Sequence, residues 1–525
     1  MIKKVLLIFS VTIGIFAQTV PVKMDLSTSP LAKISVNNDD RLLSNSITDI
    51  LVVGDTIWLG TTRGLSQSTD HGTTWNNYYN SPEFEDEGIV AMAYANSTIF
   101  VSTGHSENLN GQDIQTGSGI HYSTNNGSDW NTIPQPIDEQ GDSLITYGIN
   151  TIRALPIIVK QQNISFGMSA FGNSLWIASW AGGVRKTTDL GQTWDRIILP
   201  PDNLDEIKPT DTLSFSLQVQ AGNFGLESYL NHLAFSVLAV DDTLIYAGTA
   251  GGINQSSDGG ISWKKFNNEN TGGVFPGNWV TALAYDNNTN VVWAGAWRAE
   301  SSNEIYAAAV TRDNGNSWES FLPAEKIYSF GFSSGLNGIG INSVFACSDN
   351  GIFRTTDDGS NWINPGKITD PTTNLQVLSS TIYSVGSTVT NNEITYWIGT
   401  SGNGLVKFIQ DSPPWNGNWE INLSSEKLKD PEETYAFPNP FAPDQEVVKI
   451  KYQLSNNSTV SIRVMDFGMN LVKTIIQNVT QVAGEHFEIW NGRDEFGNYV
   501  TNGVYFYRVD TEGNDPIYNK IMVLR

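Results

Sequence analysis

Ser68-Thr69-Asp70-His71-Gly72-Thr73-Thr74-Trp75 decides the fold, because the pattern returns five more times. The further copies are Ser123-Thr124-Asn125-Asn126-Gly127-Ser128-Asp129-Trp130, Thr187-Thr188-Asp189-Leu190-Gly191-Gln192-Thr193-Trp194 and Ser256-Ser257-Asp258-Gly259-Gly260-Ile261-Ser262-Trp263. Thr311-Arg312-Asp313-Asn314-Gly315-Asn316-Ser317-Trp318 and Thr355-Thr356-Asp357-Asp358-Gly359-Ser360-Asn361-Trp362 complete the set. Each follows two β-rich runs, such as Thr56-Ile57-Trp58-Leu59-Gly60-Thr61 and Gly64-Leu65-Ser66. A seventh unit has the same lead-in, Tyr396-Trp397-Ile398-Gly399-Thr400 and Gly404-Leu405-Val406, and ends in Trp419 without the acidic turn. In a Ser/Thr-x-Asp-x-Gly stretch the short carboxylate accepts backbone N–H groups of its own turn, while Gly supplies the positive φ. The Trp folds back as an apolar anchor. Burying ~150–250 Å² at ~25 cal/mol/Å² is worth about 4–6 kcal/mol as an upper bound. Asn125 keeps the turn-bonding oxygen without the charge, which marks these turns as structural rather than chemical.

The tryptophans recur at intervals of roughly 45–70 residues, and several short strands per repeat describe a propeller. Four strands per unit are expected; in the first they are Ile47–Val53, Asp55–Thr61, Gly64–Thr69 and Thr73–Tyr79. Units from residue 46 to 424 predict an all-β, seven-bladed ring. The repeat resembles the Asp box, or bacterial neuraminidase repeat, whose bearers include sialidases, xyloglucan-cleaving glycosidases, sortilin-type receptors and a photosystem assembly factor. The resemblance implies the fold and leaves the activity open. It also implies that each box lies between the third and fourth strands of its blade, while the second-to-third and blade-to-blade connections lie on the opposite rim.

Of 525 residues only 16% are charged, with 48 Gly and 16 Trp, which excludes a disordered polyelectrolyte. Thirty Lys+Arg against 54 Asp+Glu give −24, so a nucleic acid is not an expected partner. Met1-Ile2-Lys3-Lys4, the apolar run Val5 to Ala17 and Gln18-Thr19 read as a secretory signal peptide over 1–17. That run is shorter than the ~20 residues a bilayer span needs, and no other segment is apolar enough, so no transmembrane anchor is expected in the mature chain. Residues 18–45 form an N-terminal segment ahead of the ring. Cys347, the single cysteine, allows no intramolecular disulfide and reads as an inert buried thiol in a strand.

Four stretches exceed a minimal repeat: Gly104–Gly117 and Trp297–Asn303 as second-to-third-strand loops, and Ile133–Gln162 and Leu199–Asn231 as blade junctions. All are expected to rise on one face, where long loops on a rigid scaffold carry binding. The side chains placed there are Arg63, His105, Asp113, Trp180, Trp297, Arg298 and Glu300, a rim suited to a sugar or a peptide segment. A sialidase needs an arginine triad, a Tyr–Glu pair and an acid; a xyloglucan-type glycosidase needs two facing carboxylates. Arg41-Leu42-Leu43 is a poor match to an Arg-Ile-Pro-like lead, and nothing in the spacing selects Asp113 and Glu300 as a pair. No HExxH, GxSxG or P-loop pattern occurs, the five His are scattered, and no metal or cofactor is expected.

After Trp419 the composition changes. Residues 425–433 are a polar linker, and Val447–Leu454, Thr459–Met465, Leu471–Ile476, His486–Trp490, Gly503–Val509 and Ile517–Leu524 alternate as strands of a small immunoglobulin-like β-sandwich over 434–525. Pro438-Asn439-Pro440-Phe441, Trp490-Asn491-Gly492-Arg493-Asp494-Glu495-Phe496-Gly497-Asn498, Asn502-Gly503-Val504-Tyr505-Phe506-Tyr507-Arg508 and Lys520-Ile521-Met522-Val523-Leu524-Arg525 resemble a type A sorting domain of the type IX secretion system. That resemblance implies the fold of the immunoglobulin-like domain of flagellar hook-capping proteins, the secretion machinery as partner, and a secreted or outer-surface location on a Gram-negative bacterium. The expectation is a secreted binding or scaffold propeller recognising a glycan or protein; the alternative is an extracellular sialidase-like or xyloglucanase-like hydrolase.

Overall fold

A computed structural model describes residue 26 and residues 41–217, 230–299, 303–334, 342–373, 375–390, 392–424, 428, 433–443 and 447–524. The expected signal peptide, Glu300, most of 18–45 and most of the linker lie outside the described residues.

Sequential antiparallel strands build seven sheets. Blade 1 spans Ile47–Val53, Thr56–Thr61, Gly64–Ser68 and Asn76–Asn77; blade 2 spans Gly88–Ala95, Thr98–Leu109, Gln112–Ser123 and Asn131–Pro134. Blade 3 runs from Ser165–Phe171 to Asp195–Arg196, blade 4 from Ala234–Ala239 to Trp263–Phe266, and blade 5 from Trp279–Asp286 to Glu319–Phe321. Blade 6 has three strands, Ile327–Ser333, Ser343–Ser348 and Gly351–Thr355, its fourth position reduced to a bridge between Arg354 and Ile363. Blade 7 runs from Ile382–Thr390 to Asn416–Asn422. The innermost strand of each blade packs on that of the next, and Ile47–Val53 packs on Ile382–Thr390. The circle closes, giving a seven-bladed β-propeller. The described residues contain no α-helix.

The strands alternate as their residues dictate: Ile57, Leu59 and Trp58 of blade 1 are all buried because both faces of a blade are covered by neighbours. Close blade contact needs small residues. A Cβ on Gly248 would stand 2.4 Å from the carbonyl oxygen of Val280 in the next blade. Hydroxyls stitch adjacent inner strands through backbone oxygens: Thr48 to Ile89 (2.7 Å), Ser236 to Val280 (2.8 Å) and Ser329 to Tyr383 (2.8 Å). Every strand of blade 7 comes from one continuous stretch, so Asn45 secures the closure from outside the sheet: its carbonyl accepts the N–H groups of Gly402 and Gly404, and its Oδ1 that of Ser424.

The long stretches differ from their sequence reading in two ways. Gly104–Gly117 is no loose loop: the two middle strands of blade 2 continue as one ribbon paired out to Leu109 and Gln112. The two blade junctions meet in a small sheet, where Asn150–Ala154 pairs with Leu144–Tyr147 and, in parallel, with Ser216–Leu217. This sheet does not simply rise on the loop side, because the Tyr147 hydroxyl donates to Ile261 O (2.8 Å) in the acidic turn of blade 4. It spans the outer edges of blades 3 and 4, anchored by a buried Arg185–Asp138 pair at 2.7 Å.

Residues beyond the ring form a two-sheet sandwich. Thr434–Phe437, Val448–Leu454 and Gly484–Trp490 make one sheet; Leu471–Gln481, Ser458–Met465, Gly503–Thr511 and Ile517–Val523 make the other. Trp490, Tyr452, Tyr507 and Val464 fill its core. The sandwich is docked on the ring: Val447 and Ile489 join the blade 6–7 core with Ile368 and Leu375. Glu485 there receives Arg41 (2.8 Å), Lys451 (3.0 Å) and the Leu428 N–H (3.3 Å).

Candidate functional site

The six acidic turns share one hydrogen-bond scheme. In the third, the Thr187 hydroxyl donates to Asp189 Oδ1 (2.7 Å) and accepts the Gly191 N–H (3.0 Å); Asp189 also takes the Thr193 N–H (2.9 Å) and hydroxyl (2.6 Å). These bonds to the charged form, those from Thr193 foremost, hold the Asp189 carboxyl down at about 2. In the second turn the roles are exchanged: Asn125 Oδ1 accepts the Asp129 N–H (2.9 Å) and Asn125 Nδ2 donates to Asp129 Oδ2 (2.8 Å).

Each turn glycine lies against a side chain of the preceding blade. A Cβ on Gly72 would meet the Trp397 ring at 2.6 Å, and one on Gly260 the Trp176 ring at 2.5 Å. The anchors follow: Trp130 of blade 2 meets Trp58 of blade 1 edge-on at 5.9 Å, and Trp362 of blade 6 meets Trp293 of blade 5 at 5.7 Å. Trp75, Trp263 and Trp318 are buried, whereas Trp130, Trp194, Trp362 and Trp419 are only half-buried. The turns are therefore clasps between blades. Their carboxylates are spent on their own backbone.

The opposite rim carries a different device. All seven inner strands are interrupted by a register shift just after they begin, which sets one residue of each out of the ladder: Thr48, Val90, Phe166, Phe235, Thr281, Tyr328 and Tyr383. A bulge re-aims the side chain it displaces. Five of these residues, Val90, Phe166, Phe235, Tyr328 and Tyr383, join Trp180, Trp279 and Leu26 in one apolar cluster that runs around the mouth of the ring. Trp180 lies 5.2 Å from Phe235 and 6.4 Å from Trp279, and Tyr328 stands edge-on to Tyr383 at 5.3 Å and to Trp297 at 5.4 Å. Trp279 and Tyr328 are half-exposed. The buried Trp279 Nε1 has no hydrogen-bond partner among the described residues. Burial, helped by Tyr383 and Asp349, raises the Tyr328 phenol above its ordinary value, so it stays a neutral hydroxyl. Lys326 completes the arc, 5.1 Å from the Tyr306 ring and 5.8 Å from the Trp297 ring. Val90, Phe166, Phe235 and Tyr383 are buried beneath this collar, so the partly exposed rings of Trp279 and Tyr328 are its faces that can stack on a flat apolar or sugar surface, and the Tyr328 hydroxyl can hydrogen-bond its edge.

The residues expected on this rim are distributed unevenly. Trp180 is 1% and Trp297 6% exposed, so both support the collar from within instead of forming an open rim. Their indoles pack on aromatic neighbours, and Trp297 Nε1 donates to Ile327 O at 2.9 Å. His105 sits on the ribbon of blade 2, with Nδ1 3.1 Å from Glu87 and from Ser118 Oγ, and Nε2 3.3 Å from Glu107, which also takes Gln161 Nε2 (2.9 Å). Burial pulls the imidazole down, but Glu87 and Glu107 outweigh it and leave it raised above its usual value. With both ring nitrogens engaged, the triad fastens the ribbon. Asp113 is exposed near the ribbon tip and accepts from Asn108 (2.8 Å). Arg63 is half-buried in the second-to-third-strand turn of blade 1, and Arg298 is exposed on blade 5. The structure thus groups His105 with Glu87 and Glu107 and leaves Asp113 and Arg298 on separate blades. Among the described residues no cluster of His, Cys, Asp or Glu could hold a metal ion. Cys347 is fully buried, which pushes its thiol up to about 12.

Phe166, Phe235, Tyr328 and Tyr383 escaped the sequence reading. Their signal was present: Ser165-Phe166-Gly167, Ala234-Phe235-Ser236, Ile327-Tyr328-Ser329 and Ile382-Tyr383-Ser384 open the third, fourth, sixth and seventh units in phase. Period-two patterning hides it, because a bulge breaks the alternation where these aromatics sit.

The chain is similar to solved propeller structures. An ancestral GH74 enzyme aligns with 92% of this chain at 13% identity and a TM-score of 0.48, and the chain spans 62% of that structure's length. The GH74 enzyme of Niastella koreensis aligns with 93% of it at 13% identity, with 74% of its own length covered and a TM-score of 0.46. PorZ, a surface component of the type-IX secretion system of Porphyromonas gingivalis, aligns with 91% at 15% identity, with 87% of its own length covered and a TM-score of 0.22. No protein-family model and no curated protein matches the sequence. At these identities and scores the likenesses assign neither substrate nor partner to this chain.

Proposed function

We propose that this chain is a secreted or surface-exposed recognition protein whose propeller binds a glycan or a protein segment at the aromatic mouth of its loop rim. The single observation that carries the reading is the collar: bulged inner strands, repeated blade after blade, pack buried aromatics beneath two partly exposed ring faces, the Trp279 indole and the Tyr328 phenol, at one place. The six turns act as Asp boxes, clasping blades on the far rim. The sandwich over 434–525 acts as a type IX sorting domain that brings the chain to the outer surface of a Gram-negative cell, after a signal peptide over 1–17 has taken it through the inner membrane. The formal charge of −24 favours ligands other than nucleic acid.

Purified full chain titrated against polysaccharides and against extended peptides tests the reading. Saturable binding without product, weakened about tenfold or more in Trp279→Ala and Tyr328→Ala, is expected. Turnover that disappears in Asp113→Ala would instead establish a hydrolase. Cell fractionation tests the address: removal of 434–525 is expected to leave the chain inside the cell envelope, and unchanged surface delivery would overturn it.

A further inference from the structure

Two turns of the sandwich are copies of one another. Asp466-Phe467-Gly468-Met469-Asn470 and Asp494-Glu495-Phe496-Gly497-Asn498 each run from an Asp to an Asn four residues on. In both, the Asp N–H donates to the Asn carbonyl (3.0 and 2.9 Å), and the Asn N–H donates to Asp Oδ1 (2.9 Å in each). In both, the fourth residue, Met469 at φ 62° or Gly497 at φ 85°, takes the left-handed conformation. The second turn lies along the start of Leu471–Gln481, which the first turn introduces: the Glu495 N–H donates to Val472 O (2.9 Å), and Glu495 Oε1 accepts the Thr474 N–H (2.7 Å).

What the turns hold is apolar and bare. Phe467 is 80% and Phe496 90% exposed, with Met469 and Leu471 each at 54%. A fold that buries Trp490, Tyr452 and Tyr507 completely has spent two tightly bonded turns on keeping two phenyl rings in water. Exposed aromatics carried on a backbone that is already ordered suit a binding hot spot, because the turns need not be ordered on docking and each ring brings a large apolar face. The rim carries both signs: Glu495 is met by Lys473 at 3.5 Å and Arg493 turns back onto Gly497 O and the Tyr499 ring, which leaves Asp466 and Asp494, bonded to their own turn asparagines, as the negative charges beside the rings. A second copy of this chain, itself at −24, would be repelled.

We infer that Phe467 and Phe496, with Met469 and Leu471, form the contact surface by which the sandwich docks on a protein of the export route, into an apolar groove edged by lysine or arginine. This rests on the export reading above and adds to it the surface and the chemistry of the partner. The test follows the full chain in the producing cells as wild type, as Phe467→Ser with Phe496→Ser, as Phe467→Leu with Phe496→Leu, and with 434–525 removed. Expected is a drop in surface delivery of about fivefold or more for the serine pair, recovery in the leucine pair, and an unchanged Tm of the purified serine variant, since both rings stand in solvent. Normal delivery of the serine pair while the deletion is retained would overturn this inference and leave the export reading standing. Normal delivery of the deletion would overturn both. Binding of the purified chain to phosphatidylethanolamine–phosphatidylglycerol vesicles, or a dimer in solution, either one abolished by the serine pair, would assign the surface to lipid or to a second copy and also overturn it.

Discussion

At the scale of single residues, the exchange of Asn125 and Asp129 shows what the acidic turns are for. Five turns place Asp first and a hydroxyl or amide donor fourth in line; the second turn reverses donor and acceptor and keeps the bond. Chemistry would have required the acid to stay in place. Asn125→Asp would set two carboxylates against each other, and is expected to cost on the order of 1 kcal/mol at pH 7. Thermal unfolding of the two proteins checks this. Asp189 carries the pH dependence of such a turn. Its folded value of about 2 lies below the 3.8 of a free carboxyl, so its contribution is complete above about pH 4 and disappears as pH falls through 2. A carboxyl-carbon NMR titration should show its midpoint near 2; a midpoint near 4 would mean the turn is not formed. The role of these residues was readable from sequence, since Asn125 stands in the text of the repeat. The burial of Trp180 and Trp297 was not, because a tryptophan at a strand end reads the same whether it faces solvent or a neighbouring ring.

At the scale of elements, strands and turns were legible wherever alternation or turn chemistry marks them. The first unit's strands emerge close to their expected bounds, although Thr73–Tyr79 shrinks to the paired residues Asn76–Asn77 because Thr73 and Thr74 are consumed by the turn, and blade 6 has three strands where four were expected. Bulges and inter-blade contacts depend on the neighbouring sheet, and no single strand's pattern encodes them. The clasp predicts a contrast between two glycines with positive φ. Gly54→Ala meets nothing within 4 Å and should cost only the left-handed penalty of roughly 1–2 kcal/mol. Gly72→Ala adds a collision with Trp397 at the junction of blades 7 and 1, and should cost about 1–3 kcal/mol more. Equal losses in urea unfolding would mean that the turn does not bear on the preceding blade.

Across the whole molecule, the ring is closed by inner strands, by Asn45 and by the Gly72–Trp397 clasp, and the sandwich is fixed to it through Glu485. Sequence separated ring from sandwich by composition but gave no sign that they touch, because Arg41 and Glu485 are 444 residues apart. Glu485→Gln leaves Arg41 and Lys451 without their shared carboxylate and is expected to weaken docking by about 1–3 kcal/mol. Calorimetry should then resolve a separate, earlier transition for the sandwich; one unchanged cooperative transition would show that Glu485 does not hold the two together.

The division of labour between the rims has a direct measurement. Wild type, Asp189→Asn and Tyr328→Ala, each checked for intact folding, are applied to one array of glycans and peptides. The account predicts that Asp189→Asn keeps the wild-type binding profile and that Tyr328→Ala loses it. A profile lost with Asp189 and kept without Tyr328 would place recognition at the acidic turns and contradict the account.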